Sequence, residues 1–188
     1  NISPDHQRLA YSLDTTGDEI YTLYVKELSS GAIEQLPFED CDGSMTWAND
    51  NQTLFFAELD DTHRPHKLLR HRLGSGVIEA IFEETDGRFF LHCYRASSER
   101  QLILLLNSKT TSEAWVLDAE TPNDDFTCLA PRVEDHEYFP DHGQLDGEWR
   151  WFIRTNQDGI NFALYQAGAE HVPTRDQWQL LVPHRDNV

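Results

Sequence analysis

Apolar residues along this chain gather in short clusters of about four, each entered through a polar turn, and the clusters return with a long period. Ser3-Pro4-Asp5 leads into Leu9-Ala10-Tyr11-Ser12, and Ala48-Asn49-Asp50 into Leu54-Phe55-Phe56-Ala57. Ser98-Glu99-Arg100 leads into Leu102-Ile103-Leu104-Leu105, and Leu145-Asp146-Gly147 into Trp151-Phe152-Ile153-Arg154. The steps from Leu9 to Leu54, Leu102 and Trp151 are 45, 48 and 49 residues. Each repeat has a second apolar strand at 21–25, 66–69, 114–117 or 162–165, and a last one at 33–36, 77–82, 126–129 or 178–182. Val, Ile, Tyr, Phe, Trp and Thr between turns are a strand signal, and no segment keeps a helical period for twelve residues.

Inner strands that precede the turns are predicted at 43–47, 89–94 and 138–143. The first repeat has none, because the chain begins at Asn1, directly before its turn. The pattern predicts an all-β chain: a partial β-propeller of about four consecutive four-stranded antiparallel blades, at 1–38, 39–83, 84–131 and 132–183. The alternative is a β-sandwich, which gives no reason for four copies in phase. Residues 184–188 read as the start of a further blade, and both ends as cut, so the chain is expected to be a piece of a larger protein that does not by itself close a ring.

Charge adds a second constraint. The chain holds 15 Lys and Arg against 33 Asp and Glu, a formal net charge of −18. Such a surface repels nucleic acid and anionic membranes, and attracts cations and basic peptides. The acids cluster in turns, at Glu39-Asp40-Asp42, Glu58-Asp60-Asp61, Glu83-Glu84-Asp86, Asp124-Asp125 and Glu134-Asp135-Glu137, where each also serves simply as a solvated loop. No apolar stretch approaches the roughly 20 residues that cross a bilayer. Cys41, Cys93 and Cys128 are isolated and odd in number, which fits reduced, packed thiols and a cytoplasmic protein.

Catalytic motifs are missing. There is no Gly-x-Ser-x-Gly elbow, no phosphate-binding glycine loop and no His-Glu-x-x-His helix; Gly74-Ser75-Gly76 reads as a hairpin turn. His63 and His66 after Asp60-Asp61 span a loop with Pro65 and need not converge, so no metal is expected there, nor any cofactor elsewhere. Asp141-His142 has two readings, half of a catalytic dyad or a hydrogen-bonded histidine at a strand end, and no nucleophile stands beside it.

Several stretches carry a family resemblance. They are Ser3-Pro4-Asp5 with 9–14, 17–19, 21–28 and Gly31; Thr46-Trp47-Ala48-Asn49-Asp50 with Leu54-Phe55-Phe56; Asp60-Asp61-Thr62-His63-Arg64-Pro65-His66-Lys67-Leu68; Ser108-Lys109-Thr110-Thr111-Ser112-Glu113; and Asp158-Gly159-Ile160-Asn161-Phe162. Together they resemble the propeller of the prolyl oligopeptidase family of serine peptidases, in its oligopeptidase B branch. The resemblance implies a seven-bladed propeller capping a C-terminal α/β-hydrolase domain that cleaves short peptides after Lys or Arg. It places the Ser-Asp-His triad in that other domain, so no position of this chain inherits a catalytic role and the chain alone is expected to be inactive.

The propeller portion would then gate access and steer basic peptides. Asp42, Arg88, Glu137 and Asp141, at or near the ends of inner strands, are the candidates for lining the central channel; rim loops are the other reading. Two rivals stand beside this function: a non-catalytic acidic scaffold for a basic protein partner, and the propeller of a proline-specific relative. An open ring also leaves a strand edge and a sheet face free, so self-association is expected.

Overall fold

The computed structural model describes residues 1–38 and 40–185; the expectations placed on Glu39 and on 186–188 lie outside the described residues. Among the described residues four sheets form. The first holds β1 (Arg8–Leu13), β2 (Thr22–Glu27) and β3 (Ile33–Gln35), and the second β4 (Cys41–Trp47), β5 (Thr53–Leu59), β6 (Pro65–Arg72) and β7 (Ile78–Glu83). The third holds β8 (Phe90–Arg95), β9 (Gln101–Asn107), β10 (Ser112–Asp118) and β11 (Thr127–Ala130). The fourth holds β12 (Tyr138–Leu145), β13 (Glu148–Thr155), β14 (Ala163–Gly168) and β15 (Gln179–Val182). Strand order within each sheet follows the chain, so each is an antiparallel meander.

The first sheet has three strands, as the absent inner strand of the first repeat predicts, and a short stub adds to it. Asn1–Ser3 lies against β1: the Asn1 amino group donates to Ala10 O at 2.7 Å, Ala10 N to Asn1 O at 2.8 Å, and Ser3 N to Arg8 O at 2.9 Å. A stub thus takes the inner-strand position that the sequence left empty.

The turn between the first two strands of a repeat is the same object three times. Ser3 N bonds Arg8 O, Ala48 N bonds Thr53 O and Ala96 N bonds Gln101 O, each spanning five residues. His6, Asn51 and Glu99 occupy equivalent places within these turns, with φ of 60°, 59° and 60°. Such backbone disfavours a Cβ, and the side chains before it supply the compensation. Asp5 accepts from Gln7 N, Asp50 from the N–H groups of Gln52 and Thr53, and Ser98 from Arg100 N. The fourth repeat differs: Asp146 (φ 53°) and Gly147 (φ 83°) alone join Leu145 to its partner Glu148, a two-residue hairpin in which both central residues are left-handed.

The chain divides into two compact units, Asn1–Tyr94 with Ala119–Asn123, and Arg95–Asp118 with the chain from Asp124 onward. In the first, Ala10, Leu23, Val25 and Leu36 of the first sheet bury against Met45, Trp47, Leu54, Phe56 and Leu69 of the second. In the second, Tyr138 is the pivot. Its fully buried ring stacks on His136 and meets the Trp178 ring at a tilt. Its hydroxyl enters the bulge between β10 and β11, accepting from Ala114 N at 2.7 Å and donating to the carbonyl of Ala130, the register partner of Ala114. Ser112 completes the joint, its Oγ donating to Tyr138 O and accepting from Tyr138 N.

Two substitutions test these joints. Asp50→Ala frees the N–H groups of Gln52 and Thr53, and is expected to cost about 1–2 kcal/mol. Tyr138→Phe strands two buried backbone groups and is expected to cost about 2–4 kcal/mol. Urea denaturation followed by tryptophan fluorescence checks both; a loss under 0.5 kcal/mol, on the order of an ordinary surface change, would contradict either assignment.

Candidate functional site

Arg64 is an enclosed charge in the first unit, 8% exposed, at the turn before β6. A buried guanidinium survives only with its donors occupied. Its Nε donates to Asp60 Oδ2 at 2.8 Å and its Nη1 to Phe89 O at 2.8 Å, with the carbonyls of Glu84 and Asp86 at 3.4 Å. Asp60 caps the same turn: the Thr62 hydroxyl and the N–H groups of Thr62 and Arg64 hold its carboxyl well below the usual range. The turn is thereby tied to the segment leading into β8. Glu113 plays a comparable part in the second unit. Burial raises its pKa, but the Arg132 side chain and N–H and the Trp115 indole outweigh this and keep it low.

The four channel candidates fall two in each unit. Asp42 lies in the bulge of β4, where its carboxylate accepts from Ser44 N and Oγ. Gly43 permits that bulge: its φ is 80°, and a Cβ there would stand 2.8 Å from the Tyr21 ring. Arg88, with a side chain 63% exposed, sits in the loop before β8 and pairs with Asp86 at 2.8 Å. Glu137 directly precedes β12, with its backbone N–H on Asn156 Oδ1. Asp141 lies on β12 and borders a cleft of about 400 Å³ with Ser97, Ser98, Trp149 and Phe152. It accepts from Ser97 N at 2.8 Å and from Ser97 Oγ. Three of the four therefore already serve as local caps or ion pairs.

Asp141 and His142 do not form a dyad. Adjacent strand residues point to opposite faces, and only the backbone N–H of His142 reaches the Asp141 carboxylate. The imidazole lies stacked on Trp149 at 5.5 Å and edge-on to Trp151 at 4.9 Å, while Arg100 covers Trp149 at 4.8 Å. Ser97, Asp141 and His142 are thus neighbours without the hydroxyl–imidazole contact that nucleophile activation requires. All three cysteines are free, with thiols pushed up by burial to about 11, 12 and 11 for Cys41, Cys93 and Cys128, too high for reactive thiolates at neutral pH. Among the described residues no group of three or more His, Cys, Asp or Glu is placed to hold a metal.

The model of the prolyl oligopeptidase N-terminal β-propeller domain matches residues 1–188. The chain belongs to this family. It is 33% identical over 191 residues to dipeptidyl aminopeptidase BI of Pseudoxanthomonas mexicana, covering 100% of this chain and 26% of that protein. It is 34% identical over 167 residues to protease 2 of Moraxella lacunata, covering 87% and 24%. The structure of oligopeptidase B from Leishmania major superposes with a TM-score of 0.84 at 28% identity, over 97% of this chain and 25% of that one. The chain spans about a quarter of the length of the curated relatives it matches. For a propeller of the prolyl oligopeptidase family, the enclosed Arg64 and Glu113 networks are structural joints, and both lie in stretches that carried the resemblance.

Two enclosed histidines give this domain a pH dependence. His136 is 7% exposed and His142 4%. Burial lowers both pKa values first, then Arg175 for His136 and Arg100 for His142, with Asp141 and Asp118 opposing in the latter. The unfolded chain takes up these protons near pH 6.5 and the folded chain only lower, so their stabilisation is present above that value and lost as pH falls below it. The depressed carboxyls of Asp60 and Glu113 act only below about pH 4. The urea midpoint is expected to fall from pH 7 to pH 5, with a shallower slope in His142→Phe; equal midpoints at the two pH values would contradict it.

Proposed function

We propose that this chain is the propeller portion of a cytoplasmic serine peptidase of the oligopeptidase B type, which cleaves short peptides after Lys or Arg. The observation that carries the reading is the likeness along nearly the whole chain to oligopeptidase B from Leishmania major, at 28% identity and a TM-score of 0.84. In this reading a Ser nucleophile, its His base and an Asp lie in a C-terminal α/β-hydrolase domain, and the propeller excludes folded proteins from them. The net charge of −18 supports a steering role, because an acidic passage lowers the energy of a cationic peptide. Asp42, Glu137 and Asp141 contribute to that field, and Arg88 is neutralised by Asp86. The three free, high-pKa thiols support the cytoplasmic assignment. No cofactor enters the reaction.

The relative named dipeptidyl aminopeptidase BI favours a second reading, in which the intact protein releases dipeptides. Product analysis separates the two. The intact protein is expected to cut N-terminally blocked peptides after Arg or Lys, in a manner abolished by a serine-directed covalent inhibitor, whereas these 188 residues alone do not. Cleavage after Pro alone, or dipeptide release alone, would replace the proposed specificity, and no hydrolysis at all would leave an acidic scaffold. Replacing Asp42, Glu137 and Asp141 together by Asn, Gln and Asn is expected to lower kcat/KM for dibasic peptides about two- to fivefold at low salt, with the loss shrinking as salt rises. An unchanged kcat/KM at low ionic strength would remove these residues from the steering role.

A further inference from the structure

The repeat aligns Leu54-Phe55-Phe56-Ala57 of β5 and Leu102-Ile103-Leu104-Leu105 of β9 with Trp151-Phe152-Ile153-Arg154 of β13. In the first two runs every residue is buried, and Ala57 and Leu105, at the fourth place, are 3% and 9% exposed. In β13 only Trp151 and Ile153 are buried; Phe152 is half-buried and Arg154 exposed. Phe152 and Arg154 stand on one face of the fourth sheet, beside Asp141 and Phe139 of β12 and Leu164 of β14, their register partners. None of these five is buried, and all belong to the second unit. The repeat has thus set a cation where its two mates carry a covered apolar side chain.

Two aromatic rings hold that cation in place. The guanidinium carbon of Arg154 lies 4.4 Å from the Phe139 ring centroid and 4.8 Å from that of Phe162. Phe162 makes this contact from backbone at φ 57°, where a bulky residue is disfavoured. Its loop is fastened by the Phe162 N–H on Gly159 O at 3.1 Å and by the Tyr165 hydroxyl on Asp158. The rings leave the guanidinium fork without an oxygen: among the described residues the Arg154 side chain makes no hydrogen bond and no ion pair. Asp141, the acid on the same face, is taken up by Ser97. The more enclosed arginines of this domain do meet acids, Arg64 at Asp60 and Arg132 at Glu113.

Two observations say what covers this face. The equivalent places in β5 and β9 are buried, so the repeat is built for second strands with cover on both sides. The chain also spans about a quarter of the relatives it matches, so an intact protein of their length has the cover in its own polypeptide. Under that cover Arg154 leaves water, and a guanidinium out of water needs its donors occupied by a well-placed partner. Its planar fork matches a carboxylate. We propose that a segment of the intact protein outside these 188 residues covers the β12–β14 face and sets an Asp or Glu carboxylate on Arg154. Arg154 between aromatic neighbours is then the anchor of that interface. The inference rests on membership of the family and not on the peptide specificity proposed above, so either can fail without the other.

The test is an experimental structure of the intact protein, followed by a double-mutant cycle on the acid it reveals. A carboxylate oxygen from outside these residues is expected within about 4 Å of the Arg154 guanidinium. Arg154→Met keeps an apolar stem and removes the charge. It should lower the folding equilibrium constant at least about 100-fold, the effect of removing one partner of an enclosed pair, as read by urea denaturation of the intact protein. Changing the acid to its amide should cost a similar factor. The double variant should fall short of the product of the two single losses by at least about tenfold. Where a variant does not fold, the structure of the unaltered protein decides. Arg154 left open to water, facing main-chain carbonyls alone, covered by a second copy of the chain, or uncoupled from the acid would each overturn the proposal.

Discussion

Everything in this domain depends on covering small sheets. A meander of three or four strands, each three to eight residues long, has too little apolar area to hold itself together. It needs cover. In β5 the run Leu54–Phe55–Phe56–Ala57 and in β9 the run Leu102–Ile103–Leu104–Leu105–Leu106 are buried on both faces. In β13 burial alternates instead, as on a strand with one covered face. Each fully buried Leu or Phe contributes roughly 1.5–3 kcal/mol, and these second strands supply the largest concentration of such residues. The last strands, β3, β7 and β15, are mostly exposed and rest on their neighbours.

Once the faces are covered, polar demands move to the ends of the strands, and there the domain spends its buried charge. Arg64 is surrounded by carbonyls of the segment leading into β8, and Glu113 holds Arg132 beyond β11. A buried ion with one partner removed costs far more than the pair contributes, so such joints tolerate little change. The stretches around Asp60–Arg64 and Ser108–Glu113 are among those that carry the family resemblance. Those stretches hold the fold rather than any reaction.

The acidic surface and the enclosed histidines act at different ranges. The net charge sets a field over the whole surface that salt screens within about 10 Å. His136 and His142 respond to their burial and to the few charges near them, one ring against Tyr138 and Thr155, the other between Trp149 and Trp151. Asp141, next to His142 in sequence, faces the opposite way and belongs to the surface.

The strand pattern was legible in the sequence because pairing in a meander is local. Period-two alternation, turn residues and a repeat near 45 residues identify each hairpin before any contact is known, and even the two-residue turn at Asp146-Gly147 is written in its residue types. The resemblance to the family was legible for the same reason. The Asn1–Ser3 stub was not, because three residues are too few to show a period. Nor was the role of any polar side chain. Arg64 meets carbonyls 20 to 25 residues away, Ser97 meets Asp141 across 44, and Tyr138 reaches the β10–β11 bulge from a strand that begins after it. The sequence by itself determined where strands and turns lie; only the tertiary structure decided which charges are caged, which histidine is clamped and which buried donors lack a partner. The reason is physical: backbone pairing is set by neighbours along the chain, whereas a buried polar group takes whatever partner packing brings to it.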